Sequence, residues 1–449
     1  MKKSNMRRFG ALIAGLSLVA AACGSDNTAT DTTPLDTTIT TDAPVVGGEL
    51  EGMKGTLPLV ALSAEFKDGM NAFWTGKGNE TLVDYSYAGE AFDGVMLIAL
   101  AAEAAGTDGS ALADQIVAVS KDGEKCTTAE TCLALLKDGK DIDYDGMAGP
   151  NTLNGNGEPL QASYGILTFD ATNRVNFDDA TYVIASAPES SVLPLAKTEV
   201  ARKGNGVLKF GSLLPETGSL AFLGAPEYAG MEYAIDLINA AGGILGKPVE
   251  YVQGDSGDTS TDTASTTVDR LLAEDVDAII GAASSGVSLT VIDKITAAGV
   301  IQFSPANTSP AFTDYPDKGL YFRNAPPDGL QGAVLAELIA SDGNASAYIL
   351  ALDDSYGTGL ANAIEESLTA SGVTVLGKKI YDPAATTFDA EVGEVVAANP
   401  DAIILVTFDE GSRILRTMVE QGIGPKVKMV YGVDGNTGNA LGENFDSGK

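Results

Sequence analysis

The sequence predicts an α/β protein whose parallel sheets are covered on both faces by helices, and three observations lead there. From residue 207 onward, short apolar runs alternate regularly with stretches of helical periodicity. Some of the runs, such as residues 276–281, are short and largely apolar, as strands buried on both faces are. The 449 residues are 44% hydrophobic but only 6% aromatic, with 52 glycines, a mix that suits helices packed closely on sheets. This length is comfortable for two or three domains.

In chain order, the first half predicts helices over residues 64–75, 87–105 and 110–119. Asn154-Gly155-Asn156-Gly157 reads as a turn between strands, and residues 161–169 and 181–185 read as strands. Residues 188–206 are irregular and polar, hence a linker. A strand then opens at 207–210. Tyr228, Met231, Ile235 and Ile238 recur at helical spacing until Gly242-Gly243 stops the helix. Next come a strand at 249–252, a helix at 261–273, a strand at 276–281, a helix at 289–298 and a strand at 300–304. A loop containing Pro310, Pro316, Pro326 and Pro327 follows. The pattern resumes with strands at 347–352, 373–380, 402–408 and 428–431, with helices between them. Ligands in such folds sit at the carboxyl ends of the strands.

The chain has no histidine, which removes Ser-His-Asp and Cys-His catalysis and every His-based metal site. With no phosphate loop and no nucleophile–base pair at a recognisable spacing, no enzyme is expected. The net charge is −33. Such a surface repels nucleic acid and anionic lipid headgroups. Asp141-Ile142-Asp143-Tyr144-Asp145-Gly146 imitates the first half of a calcium loop, but its twelfth position is Thr152 and Pro150 intrudes. A solvated turn is expected there, and neither a metal nor a cofactor is expected anywhere.

Residues 1–22 read as a signal peptide: Lys2, Lys3, Arg7 and Arg8 carry its positive charge, and an apolar core follows at 11–22. Val19-Ala20-Ala21-Ala22-Cys23 resembles a bacterial lipobox, although Ala20 stands where Leu is usual. That resemblance implies lipidation of Cys23 and anchoring to the cell membrane from outside; the alternative is ordinary cleavage near Ala22. Residues 23–48 are rich in Thr, Asp, Ser and Pro and read as a disordered tether. Export makes a disulfide the default for Cys126 and Cys132.

Four segments carry a resemblance to a known family. They are Gly211-Ser212-Leu213-Leu214-Pro215-Glu216-Thr217-Gly218, Asn239-Ala240-Ala241-Gly242-Gly243-Ile244, Ser304-Pro305-Ala306-Asn307-Thr308-Ser309-Pro310 and Asp354-Ser355-Tyr356-Gly357-Thr358-Gly359. Together they resemble the bacterial periplasmic (type 1) leucine/isoleucine/valine-binding proteins. The resemblance implies two Rossmann-like lobes with parallel sheets, joined by a three-crossing hinge and closing on a ligand. The family's chain should continue past residue 449, and the missing parts stand at the front. Leu50-Glu51-Gly52-Met53-Lys54-Gly55-Thr56 resembles what should follow residue 449, and Gly149-Pro150 with residues 164–169 resembles the family's closing segment. A circular permutation is therefore expected. Lobe I combines residues 60–163 with 206–325, lobe II combines 50–59 with 164–187 and 326–449, and residues 188–205 join the original termini. The alternative is that the front piece completes a neighbouring chain; the permutation instead implies a monomer.

Ser285, in a Ser-rich strand-to-helix loop, lies where the family binds the ligand's carboxylate, at the kind of helix N-terminus that favours anions. Ala306 and Thr308 match neighbouring ligand positions. Tyr356 matches a ligand-contacting tyrosine, Phe408 an aromatic position, and Asp434 the acid that pairs with the ligand's ammonium. Two departures stand out: Leu223 falls where an aromatic often lines the pocket, and Asp434 is one methylene shorter than the family's Glu. The resemblance implies capture of an amino acid or related small polar ligand for delivery to an ABC-type membrane permease. A ligand-sensing receptor of the same fold, uncoupled from transport, is the other expectation.

Overall fold

The computed structural model describes residues 48–187 and 201–448. The leader, Cys23, the tether up to residue 47 and residues 188–200 of the linker lie outside the described residues. In chain order the first half runs β1 (Lys54–Pro58), α1 (Ala64–Gly76), α2 (Ala88–Ala105), α3 (Ala113–Ile116), β2 (Glu124–Cys126), α4 (Ala129–Lys137), β3 (Ile142–Tyr144), β4 (Gln161–Thr168) and β5 (Thr181–Ser186). Then follow β6 (Lys209–Leu213), α5 (Gly224–Ala240), β7 (Glu250–Val252), α6 (Thr263–Ala273), β8 (Ala278–Gly281), α7 (Ser285–Ala297), β9 (Ile301–Ser304) and β10 (Tyr321–Arg323). The remainder is α8 (Asp328–Ser341), β11 (Ser346–Leu352), α9 (Ser355–Ala370), β12 (Thr374–Tyr381), α10 (Asp389–Ala398), β13 (Ala402–Val406), α11 (Gly411–Glu420), β14 (Met429–Gly432) and α12 (Asn439–Ser447).

Two sheets organise these elements. The smaller has the order β10-β9-β8-β6-β7 and is parallel throughout. Its strands feed two cores: Ala278 and Ile280 face one and Ile279 the other, the period-2 arrangement of a strand buried on both sides. The larger has the order β12-β11-β13-β14-β1-β4-β5. β1 lies parallel to β14, with Lys54 opposite Tyr431, so a strand from the front of the chain sits inside the sheet built by its end. β4 and β5 depart from the expected all-parallel order, because each runs antiparallel to its neighbour. No helical crossover separates β4 from β5, and such a direct return is antiparallel. A further difference lies in the proline-rich loop, which contains the three-residue strand β10.

Helix ends follow local chemistry. Ser63, Ser284 and Asp354 each cap a helix by accepting the backbone N–H three residues ahead. α2 is buried almost all round; it packs along α5 and over β8 and β9. Gly230 makes the α2–α5 approach possible, since a Cβ there would stand 2.1 Å from the Ala88 carbonyl oxygen. No single helix among the described residues is long and apolar enough to cross a membrane. Cys126 and Cys132 form a disulfide, with Cα atoms 5.3 Å apart, tying β2 to α4. In the acidic loop nearby, Asp143 and Asp145 both hold Lys125, at 3.0 and 2.9 Å, and residues 142–144 form β3.

Three described segments pass between the sheets: residues 59–63 after β1, 145–160 before β4, and 324–327 before α8. The cleft between the lobes lies beside them.

Candidate functional site

The carboxyl ends of β8, β9, β13 and β14 converge on this cleft, as expected where loops rather than strands face a ligand. From the lobe of the five-stranded sheet, the loops after β8 and β9 are stitched together. Ser304 Oγ donates to the Ala282 carbonyl at 2.7 Å, and Asn307 Nδ2 donates to the carbonyls of Ala282 and Ala283 at 3.0 and 2.8 Å. Arg323, almost wholly buried, binds Glu158 at 2.5 Å and the Ser309 carbonyl at 2.7 Å, fixing the second loop from behind. Thus Ser285 and Ala306 reach the cleft on rigid supports. Ser285 opens α7, and its Oγ accepts the Ser309 N–H at 3.3 Å.

The opposite wall centres on Asp434, just beyond β14. Tyr356 Oη donates to its Oδ1 at 2.7 Å, and Tyr87 Oη donates to its Oδ2 at 2.8 Å. Tyr356 Oη in turn accepts the Gly435 N–H at 3.1 Å. The Tyr356 ring stacks on Phe408, with centroids 5.2 Å apart and planes 11° from parallel. Gly435 is required by this crowding: a Cβ there would lie 2.8 Å from Tyr356 Oη and 2.7 Å from the Thr407 carbonyl. The lobes meet at the mouth, where Ser309 Oγ lies 2.9 Å from Ser355 Oγ.

Between them lies a small cavity of about 20 Å³, lined by Tyr87, Leu220, Leu223, Ala283, Ser284, Ser285, Ala306, Tyr356, Phe408, Asp434 and Gly435. Asp434 is the only charged residue among them. Burial raises its pKa above the ordinary range, opposed by the hydrogen bonds from Tyr356 and Tyr87. Burial likewise raises both phenols well above theirs, reinforced by the Asp434 charge, so they remain neutral donors. At the other end, the first N–H groups of α7 and the Ser284 and Ser285 hydroxyls offer donors to an anion.

Of the residues singled out from sequence, the cavity gathers Leu223, Ser285, Ala306, Tyr356, Phe408 and Asp434. Thr308 is not among the lining residues. It is buried, and its backbone carbonyl accepts the Asp328 N–H at 2.8 Å. Sequence reasoning missed Tyr87, Leu220, Ala283 and Gly435 as lining residues and gave Ser284 no ligand-facing role of its own. Tyr87 holds a left-handed backbone (φ 59°, ψ 7°) at the mouth of α2, a conformation its sequence neighbourhood does not signal.

Residues 207–448 match the family model described as periplasmic binding protein. The Leu/Ile/Val-binding protein homolog 3 of Brucella melitensis is 26% identical over 239 residues, covering 52% of this chain and 64% of that protein. The chemotactic signal transduction system substrate-binding protein BasB of Halobacterium salinarum is 33% identical over 208 residues, covering 44% and 49%. The match therefore spans less than two thirds of these relatives' own length. Among solved structures, the branched-chain amino acid transporter substrate-binding protein LivJ of Streptococcus pneumoniae, in complex with isoleucine, is 27% identical, with 53% of this chain and 67% of that one covered and a TM-score of 0.47. The family model takes in more than half of the chain, and its description places these proteins outside the cytoplasm: this protein belongs to the periplasmic binding protein family.

Proposed function

We propose that the protein captures an α-amino acid with a small apolar side chain by closing its two lobes, and delivers it to an ABC-type permease. The observation that carries this reading is the lone Asp434 carboxyl, held by two neutral tyrosines and sharing one narrow cavity with an anion-favouring helix N-terminus. A zwitterion satisfies both ends, its ammonium on Asp434 and its carboxylate at Ser284, Ser285 and the first turn of α7. Leu220, Leu223, Ala283 and Phe408 give the cavity an apolar wall against which a ligand side chain would pack. Lipidation at Cys23 would hold the domain at the outer face of the membrane, with residues 24–47 as its tether.

The chain order is read as a circular permutation that closes within one monomer. Supporting this, β1 lies between β14 and β4 in the larger sheet, and the family model covers only the portion from residue 207 onward. A sensing role is the second reading, favoured by the similarity to BasB, whose name assigns it to chemotactic signal transduction. Capture of the ligand is common to both.

Calorimetric titration with leucine, its des-amino analogue 4-methylpentanoate and its decarboxylated analogue 3-methylbutylamine tests the ligand class. Only the intact zwitterion should bind tightly; each truncation should cost about 2 kcal/mol or more, by leaving one buried end unpaired. Equal binding of 4-methylpentanoate would remove the ammonium from the account.

A further inference from the structure

A second cavity, of about 80 Å³, lies beside the hinge. Pro58 at the end of β1, with Pro159 and Pro326 in the other two crossings, forms much of its wall, and Glu90 from α2, Asn151, Gln161 and Ser163 from β4, and Asn324 supply its polar lining. Both lobes and the hinge thus contribute to one space.

Its chemistry is one-sided. The prolines offer no backbone N–H. The amide donors of the wall are already used: Asn324 Nδ2 binds the Glu90 carbonyl at 2.9 Å, Asn151 Nδ2 binds Asp93 Oδ2 at 2.7 Å, and Gln161 Nε2 binds Ser186 Oγ at 3.0 Å. Acceptors remain. Asn324 Oδ1 is buried and has no hydrogen-bond partner among the described residues. Glu90, the only charged residue lining the space, is 7% exposed, and no cation among the described residues pairs with it. A buried carboxylate and a buried orphan carbonyl are costly unless a donor meets them, and the prolines, with Ala162 and Ile184, offer an apolar surface beside them.

We propose that this hinge-side cavity is a second binding site, for a small organic ammonium, with the nitrogen on Glu90 and Asn324 Oδ1 and the carbon chain against the prolines. The site is separate from the cleft that holds Asp434, and no lining residue is shared. Burial lifts the Glu90 carboxyl to about 8, opposed by its own backbone N–H and reinforced by the nearby Asp93 charge. Glu227 on α5 also stands near enough to feel Glu90. An ammonium binds the ionised carboxyl, so its affinity rises as pH passes upward through that value.

The test titrates the full-length protein with n-butylammonium chloride by calorimetry, at pH about 7 and about 9, with sodium chloride as the ionic-strength control. Wild type and Asp434→Ala should both bind it saturably, and more tightly at the higher pH. Glu90→Gln should weaken binding at least tenfold and flatten the pH dependence, and Ala162→Trp, which fills the cavity, should abolish it. Undiminished binding in both Glu90→Gln and Ala162→Trp would overturn the proposal. So would binding lost in Asp434→Ala, which would move the cation to the cleft, or the absence of saturable binding to wild type.

Discussion

The Tyr87 hydroxyl donates a 2.8 Å hydrogen bond to Asp434 Oδ2, joining residues 347 positions apart. Tyr87 stands at the mouth of α2 in the lobe of the five-stranded sheet, and Asp434 follows β14 in the lobe of the seven-stranded sheet, so the bond spans the cleft. An ammonium ligand needs Asp434 ionised. Its affinity must therefore fall as pH drops through the Asp434 pKa, which burial has already raised. Tyr87→Phe removes one donor to the carboxylate and should raise that pKa further. Calorimetry across acidic pH should show affinity weakened by about 1 kcal/mol and lost at a higher pH than in wild type. An unchanged pH profile would mean that Tyr87 does not support the carboxylate.

That bond also marks how far the sequence could be read. The alternation of β6 to β14 with helices was legible because each strand is a short apolar run and most helices keep their period. Asp434, Tyr356, Phe408 and Ser285 were legible through the family resemblance, which assigns ligand positions to them; the strand–helix pattern alone places them only near strand ends or helix starts. Tyr87 was not: it read as the first residue of a helix, and its role depends on a left-handed turn and a partner from the far end of the chain. β10 escaped because three residues between prolines carry no periodicity. The antiparallel β4–β5 edge was readable as strands but not in direction, which the connection decides.

Glu227 predicts a pH effect on stability. Both its carboxyl oxygens are buried without partners, and burial, then the Glu90 charge, raises its pKa well above the ordinary value. Unfolded, a Glu titrates near about 4.3. Between that value and the raised one the folded state binds more protons, so this group's contribution to stability declines as pH rises. Urea unfolding at pH about 5 and about 8 should show wild type losing more stability than Glu227→Gln, by about 1 kcal/mol or more. Equal losses would mean that Glu227 is ionised at both.

The disulfide should matter to stability and not to capture. Cys126 and Cys132 close a short loop and neither lines the ligand cavity. A Cys126→Ser, Cys132→Ser double variant should lose about 2 kcal/mol in denaturant unfolding, with ligand affinity unchanged. A parallel loss of affinity would place this loop in the binding mechanism.

Chain order gives a further prediction. A rearranged protein beginning at residue 207, running to 448 and continuing into 49–187 restores the order that the permutation implies. It should fold as a monomer and bind the same ligand with an affinity within about threefold of the natural order. Residues 207–448 alone lack β1, β4, β5, α2 and Tyr87, and should not bind. A rearranged chain that fails to fold while the natural one is monomeric would contradict the permutation.

The central claim is that Asp434 receives the ammonium of an amino acid, and a thermal-shift screen of the α-amino acids on wild type and Asp434→Ala tests it most directly. At a hundredfold excess over its Kd a ligand adds about 2.7 kcal/mol to stability, a shift readily seen. Wild type should be stabilised by at least one amino acid with an apolar side chain, and Asp434→Ala should lose about 2 to 5 kcal/mol of binding to that same ligand. A stabilising amino acid that binds Asp434→Ala as tightly as wild type, or no response of wild type to any α-amino acid, would contradict the account.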